Sequence, residues 1–275
     1  MIKAQEIKNI TSRLGISNNQ IIEKDYVLGH VLNAIYGVPL LSKSLVFKGG
    51  TSLRKCWFEN YRFSEDLDFT LVDNKLSDAV ILKNELTKIK SILSEIGFVI
   101  GDIEIEQIKD EYNEEAFTAK IPFTAVYKSP PILPKIKVDI TRYEKVLLPV
   151  KPKFIIHPYS DNGIISASVI SYSLEEILAE KLRTIIQRGY PRDFYDAFSV
   201  LIKMPLDNSP VYTTFLEKCK FKNVGYNSTA DFFTEIKLTN CRIAWKNSLG
   251  HLIKELQDFD YVITKLKELL KIIFK

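Results

Sequence analysis

Apolar residues recur at helical period from the N-terminus to Tyr36 with a break near Gly15, predicting two helices over residues 1–37, the second Asn19–Tyr36. The period then changes. Ser44–Lys48 reads as a short apolar strand that Gly49-Gly50 ends sharply, and Thr51 or Ser52 can cap a helix from Leu53 to about Phe58. Asp66–Val72 alternates acid and apolar residues, as a half-buried strand does. Asp78–Ile96 returns to helical spacing, with Ile81, Leu82, Leu86, Ile89, Leu93 and Ile96 on one stripe. Three more strands are expected, Phe98–Gln107, Ala116–Tyr127 and Lys135–Thr141, with Pro130, Pro131 and Pro134 punctuating the loop before the last.

After Pro149 the texture shifts. Residues 150–170 form a Pro- and Ser-bearing connection, and helical patterns run from Ser171 to the end. This order predicts an α/β (α+β) fold, with a strand-and-helix domain over 1–165 followed by a helical domain over 166–275. A chain of 275 residues can bury a core that needs no disulfide or metal staple. With 46% hydrophobic and 26% charged residues it is neither disordered, collagen-like nor a coiled coil. No apolar run reaches the roughly 18 residues of a membrane span. The opening MIKAQEIKNI lacks a signal peptide's apolar stretch, and Cys56, Cys219 and Cys241 are odd in number and scattered, so a reducing cytoplasm and no membrane are expected. The cysteines lack zinc-site spacing, and His30, His157 and His251 do not repair that.

The net charge of +4 is too small to establish a nucleic-acid partner. Its location says slightly more: from Val211 onward there are eleven Lys or Arg and seven Asp or Glu, so the whole excess lies in the C-terminal quarter. Lys218, Lys220 and Lys222 cluster there, and Lys265, Lys267, Lys271 and Lys275 follow on the last helical pattern. Phosphate contact and an ordinary solvated helix face fit that pattern equally.

The stretch VFKGGTSLRKCWFENYRFSEDLDFT, residues 46–70, carries more chemistry. A strand, a Gly-Gly turn and a helix start expose backbone N–H groups with no Cβ in the way, which suits close approach of a phosphate. Asp66 and Asp68 share one strand face about 6.6 Å apart, with Leu67 and Phe69 turned to the core. Two adjacent acids repel unless something favours them, as Mg²⁺ bound to hard oxygen ligands would. Lys135–Thr141 adds Asp139, facing out with Lys137 and Thr141 while Ile136, Val138 and Ile140 face in. If the two strands are neighbours, three carboxylates converge, as metal-assisted phosphoryl transfer requires. Taken singly, Asp139 reads as an ordinary exposed strand acid.

Other templates are missing: no GxxxxGK[ST], GxGxxG, GxSxG or HExxH occurs. Ser173-Leu174-Glu175-Glu176 reads as a capping box opening a helix that buries Leu174, Ile177, Leu178, Leu182, Ile185 and Ile186. Lys181 falls inside that apolar stripe, so it either snorkels or meets an anionic partner, the acid cluster or a triphosphate among them. Gly189 ends the helix and Pro191 opens the next, where Asp193 and Asp196 suit the macrodipole. Arg188 and Arg192 flank the junction and can pair with these acids or with phosphate.

Four stretches carry a family likeness: IIEKDYVL (21–28), FKGGTSLRK (47–55), RFSEDLDF (62–69), and LEEILAEKLRTIIQR with RDFYDAF (174–198). In that order they resemble the AbiEii/AbiGii-type nucleotidyltransferase toxins, which include the MenT-like proteins and are similar in fold to DNA polymerase β-type nucleotidyltransferases. The resemblance implies a polymerase β-like domain with a mixed sheet and a helical C-terminal domain. It implies Mg²⁺, with Mn²⁺ as a substitute, on Asp66, Asp68 and Asp139, and an NTP held by Lys48, Gly49, Gly50, Thr51, Ser52, Arg54, Ser64 and Lys181. Lys181 with Asp193 or Asp196 would match the family's two C-terminal motifs, making all three catalytic. Members act as toxins of two-gene toxin–antitoxin and phage-abortive systems, some by adding nucleotides to the tRNA 3′ end. The implied partners are therefore an NTP, tRNA or another RNA, and a cognate antitoxin. Arg188, Arg192, Lys218, Lys220 and Lys222 are the RNA contacts this reading suggests. Two alternatives stay open: transfer to a small molecule or protein side chain, and a non-catalytic module that binds RNA or antitoxin.

Overall fold

Seven strands form one mixed sheet in the order β3-β4-β5-β2-β1-β7-β6. They are β1 (Leu45–Lys48), β2 (Asp66–Leu71), β3 (Glu104–Lys109), β4 (Glu115–Pro122), β5 (Lys135–Thr141), β6 (Lys151–Phe154) and β7 (Ser168–Ser171). The computed structural model describes residues 1–16, 18–109, 114–126, 133–204 and 207–275; Tyr127, Pro130 and Pro131 of the expected strand and loop lie outside them. Pairing is antiparallel except for β2 with β5 and β1 with β7. The chain divides into two units, Met1–Glu144 with Val150–Ser171, and Lys145–Pro149 with Tyr172–Lys275. The division falls after Ser171, not near residue 165, because residues 168–171 complete the sheet as β7.

In the first unit, Gly15 adopts φ 63° and ends α1 (Ala4–Leu14), and α2 (Asn19–Gly37) follows. α2 is buried around most of its surface, Tyr26, Leu28, Val31 and Ile35 included, and packs on α1 and on β2, β5 and β7. α3 (Pro39–Ser44) leads into β1. The stripe expected as one helix over 78–96 is two: α5 (Ala79–Thr87), N-capped by Asp78, and α6 (Ile89–Glu95). Leu82, Leu86, Ile89 and Leu93 are buried as the spacing predicts, but Ile81 is exposed. β3 is shorter than expected and begins at Glu104, and β4 ends at Pro122.

The second unit is helical: α7 (Leu174–Gln187), α8 (Pro191–Lys203), α9 (Asn208–Phe221), α10 (Glu235–Leu249) and α11 (Phe259–Ile273). Ser173 caps α7 through the Glu176 N–H, yet Glu176 does not complete the expected box. Its buried carboxylate instead accepts from the Leu148 N–H at 2.7 Å and pairs with Lys218 Nζ at 2.7 Å. Lys218, fully buried, also donates to the Lys145 carbonyl at 2.8 Å. The RNA contact suggested for Lys218 is therefore corrected: its charge is spent inside the helical unit, and a buried ammonium cannot reach a phosphate. No helix among the described residues is long and apolar enough to cross a membrane.

Candidate active site

The register of the central strands assembles the acids. In the parallel pair β2/β5, Asp68 lies opposite Asp139 and Asp66 opposite Lys137. Adjacent strands run about 4.8 Å apart, so the paired side chains share one face. Leu67, Phe69, Ile136, Val138 and Ile140 are fully buried on the other face and fix that orientation, while Asp66, Asp68 and Asp139 are half-buried. A one-residue slip would exchange the two sets, so the apolar core itself pins the acids in place.

Charge within the group is uneven. Burial holds the Asp66 carboxyl above its ordinary value; Lys24 and Lys137 oppose this, and Asp139 and Glu65 add to it. Asp139 accepts from Thr118 Oγ1 at 2.7 Å on β4 and from Lys137 Nζ at 2.6 Å. Burial would lower the Lys137 ammonium, but the hydrogen bond and charge of Asp139, with Asp66 and Asp68 behind it, raise it. Three carboxylates thus converge on one face, with Lys137 of β5 hydrogen-bonded to Asp139 among them. As a donor set of hard oxygens they fit a divalent ion such as Mg²⁺.

Gly49 joins this face to β1. It adopts φ 79°, which lets the strand pass directly into a helical turn, α4 (Gly49–Ser52), continued by a π-type turn over Leu53–Trp57. A Cβ at Gly49 would overlap Asp68 Oδ2, and one at Gly50 would overlap the buried guanidinium of Arg62. Gly49→Ala is therefore expected to lose about 1–2 kcal/mol from the left-handed conformation alone, and more from displacing Asp68. Urea unfolding checks this; an unchanged midpoint would refute it.

The hydroxyls of this turn have other duties. Thr51 and Ser52 do not cap a later helix, because the helical turn already begins at Gly49 with Lys48 as its N-cap residue. Both are fully buried: Thr51 Oγ1 donates to the Asp66 carbonyl, and Ser52 Oγ shares a 2.7 Å hydrogen bond with Ser171 Oγ. They clamp the turn to β2 and β7 and are not presented to a phosphate. Arg54, expected at the nucleotide, is likewise corrected. Its guanidinium bonds Asp25 and the Tyr61 carbonyl and stacks over Phe63 at 3.7 Å. Lys48 is buried and Ser64 half-exposed beside β2.

The helical unit gathers the remaining candidates. Lys181 Nζ lies 3.0 Å from both Asp193 and Asp196, and Arg188 Nε lies 2.8 Å from Asp193. Burial would raise the Asp193 carboxyl, yet Lys181 and Arg188 hold it below its ordinary value. The lysine inside the apolar stripe thus meets two buried anions of α8. Of the basic residues named for RNA, Lys220 is exposed and Arg192 and Lys222 are half-buried.

Sequence reasoning missed Lys137, Thr118 and Arg62 as parts of this site. Lys137 was visible as a neighbour of Asp139 on one strand face, but only the β2/β5 register sets it against Asp66.

A family model described as the nucleotidyl transferase AbiEii toxin of type IV toxin–antitoxin systems matches residues 30–265. No curated protein sequence matches the chain. Among solved structures, MenT4, a nucleotidyltransferase toxin from Mycobacterium tuberculosis, superposes with a TM-score of 0.72 at 18% identity, covering 99% of this chain and 90% of that one. JHP933 from Helicobacter pylori gives 0.58 at 17% identity, covering 93% and 92%. At such identities these structures speak to the fold alone. The match to most of the chain speaks to the family: this protein belongs to the AbiEii nucleotidyltransferase toxins of type IV toxin–antitoxin systems.

Proposed function

We propose that this toxin transfers a nucleoside monophosphate from an NTP to an RNA 3′ end, the tRNA acceptor end first among them, with Mg²⁺ held by Asp66, Asp68 and Asp139. The observation that carries the reading is the register that sets Asp68 beside Asp139 with Gly49 packed against the Asp68 carboxylate. Bound there, Mg²⁺ or Mn²⁺ supplies a Lewis acid for the phosphates.

The chain's own groups do the rest. The N–H groups at Gly49 and Gly50 have no side-chain cap and receive the triphosphate. The acceptor hydroxyl oxygen bonds to the α-phosphorus as the bond to the β-phosphate oxygen breaks and pyrophosphate leaves. Asp139, oriented by Thr118 and Lys137, takes the hydroxyl proton. Lys181, ion-paired with Asp193 and Asp196, is assigned to the pyrophosphate by family resemblance. Arg192, Lys220 and Lys222 supply phosphate contacts for the RNA, and a cognate antitoxin is the protein partner.

The test is incubation with each labelled NTP, Mg²⁺ or Mn²⁺, and total tRNA. Label in the tRNA band, removed by 3′-exonuclease, is the expected result. Label appearing only on protein or on a small molecule would move the acceptor to that class. No transfer to any of these would overturn the reading.

A further inference from the structure

Away from the acids, and wholly within the sheet-bearing unit, two histidines and a carboxylate close on one another. α2 supplies His30, and the connection between β6 and β7 supplies His157 and Asp161. One ligating atom from each lies within 4.8 Å of the others. His30 Nε2 is 3.3 Å from Asp161 Oδ2, and His157 Nε2 is 3.3 Å from Asp161 Oδ1. Both imidazoles are 1% exposed. Among the described residues, neither ring nitrogen of His30 has a hydrogen-bond partner of adequate geometry, the 3.3 Å approach to Asp161 included, nor does Nδ1 of His157. Buried polar atoms nearly always have partners, so three such nitrogens in one cluster require an explanation.

The surroundings are shaped around these rings. A Cβ at Gly29 would overlap His157 Nδ1, so glycine lets the imidazole lie directly on α2. Tyr26, one turn before His30, donates to Asp161 Oδ2 at 2.7 Å and accepts from the Ile2 N–H at 3.1 Å. That is the outer-shell support ligating carboxylates receive. Phe98 packs 5.0 Å from the His30 ring and Tyr159 packs 4.7 Å from the His157 ring. Two cations approach the cluster. Lys55 is already paired with Asp25 at 2.9 Å, and the Met1 amino group stands 4.0 Å from Asp161. Asp161, 13% exposed, leaves a way in from solvent.

We propose that His30, His157 and Asp161 bind one borderline divalent transition-metal ion, of which Zn²⁺ is the probe, as a clip between α2 and the β6–β7 connection. Two imidazoles and one carboxylate are a zinc-type donor set, whereas Mg²⁺ seeks oxygen. Metal–ligand arms near 2.1 Å in tetrahedral array place neighbouring ligand atoms about 3.4 Å apart, and each of the two nitrogens already stands 3.3 Å from one oxygen of Asp161, His30 from Oδ2 and His157 from Oδ1. The clipped segment also carries Tyr159, whose hydroxyl donates to Asp25, and Ile156, whose N–H bonds the Lys55 carbonyl. The ion would therefore brace the turn that follows Gly49-Gly50 from behind.

The experiment uses the untagged full chain after chelator treatment, in excess Mg²⁺. Titration with Zn²⁺ is expected to saturate at one ion per chain and raise the melting temperature. Co²⁺ is expected to give the intense visible band of a four- or five-coordinate ion. Asp161→Asn and His157→Asn should each weaken Zn²⁺ binding at least tenfold, while Asp66→Asn leaves it unchanged. A folded wild-type protein that takes up neither ion overturns the site, and this arm needs no variant. Binding unchanged in both ligand variants, or lost in Asp66→Asn, overturns it equally.

Discussion

Asp66→Asn is expected to lower nucleotide transfer by about 10³-fold or more while leaving the fold as stable as before, or more so. On the proposed function Asp66 is one of three hard ligands, and removing such a ligand from a site that stabilises transition-state charge costs roughly 4 kcal/mol, which is three orders of magnitude in rate. Stability should move the other way. The Asp66 carboxyl is held above its ordinary value, first by burial and further by Asp139 and Glu65 against Lys24 and Lys137. An acid whose folded pKa is raised is less comfortable ionised in the folded state, so at neutral pH its charge opposes folding, and the opposition fades on acidification. A neutral amide of the same shape removes that burden. Labelled transfer and a thermal melt, run on one preparation, give the two readings. Transfer within tenfold of wild type would sink the catalytic assignment. A large drop in melting temperature would instead place Asp66 in the scaffold.

How far this site could be read from sequence depended on the range of each interaction. The alternation in Asp66–Leu71 and Lys135–Thr141 is local, and it placed Leu67, Phe69, Ile136, Val138 and Ile140 inside as found. β6 and β7 were missed because Lys-Pro-Lys-Phe has no apolar alternation, and only Val169 and Ser171 of β7 are buried; the pairing of β7 with β1, and of β6 with β7, makes them strands. Lys218 was misread by grouping it with Lys220. Residues two apart on a helix point to nearly opposite sides, so one of the pair had to face inward. Its partner Glu176 lies 42 positions earlier, beyond any local pattern. Arg54 was drawn toward the nucleotide by its place after Gly-Gly-Thr-Ser-Leu. Its actual partner, Asp25, sits in another of the family-like stretches, so the likeness marked both residues as important without saying to what.

That pair sets the second large effect. Asp25→Asn is expected to destabilise the protein by about 3–5 kcal/mol, because it leaves two buried cations without their counter-charge. Asp25 is fully buried and accepts from Arg54 Nε, from Lys55 Nζ at 2.9 Å and from the Tyr159 hydroxyl at 2.7 Å. Burial alone would raise its carboxyl; Arg54 and Lys55 overcome this and hold it far below the ordinary range. The network's contribution is thus fully present above the unfolded carboxyl value of about 3.9, and it drains away only as the pH falls toward the depressed native value. Against a typical total stability of about 5–15 kcal/mol, such a loss unfolds a measurable fraction of molecules at rest. Urea denaturation at neutral pH reads it directly. The double variant Asp25→Asn with Lys55→Met separates charge from packing: it removes one stranded ammonium while keeping an apolar stem of similar length. It is expected to recover about 1–3 kcal/mol of the single variant's loss, the range of coupling between residues in contact. No recovery would mean that the hydrogen bonds of Arg54 and Tyr159, not the buried charge, hold the turn behind Gly49-Gly50 in place. A single-variant cost under about 1 kcal/mol would put the network among ordinary surface pairs, which its burial contradicts.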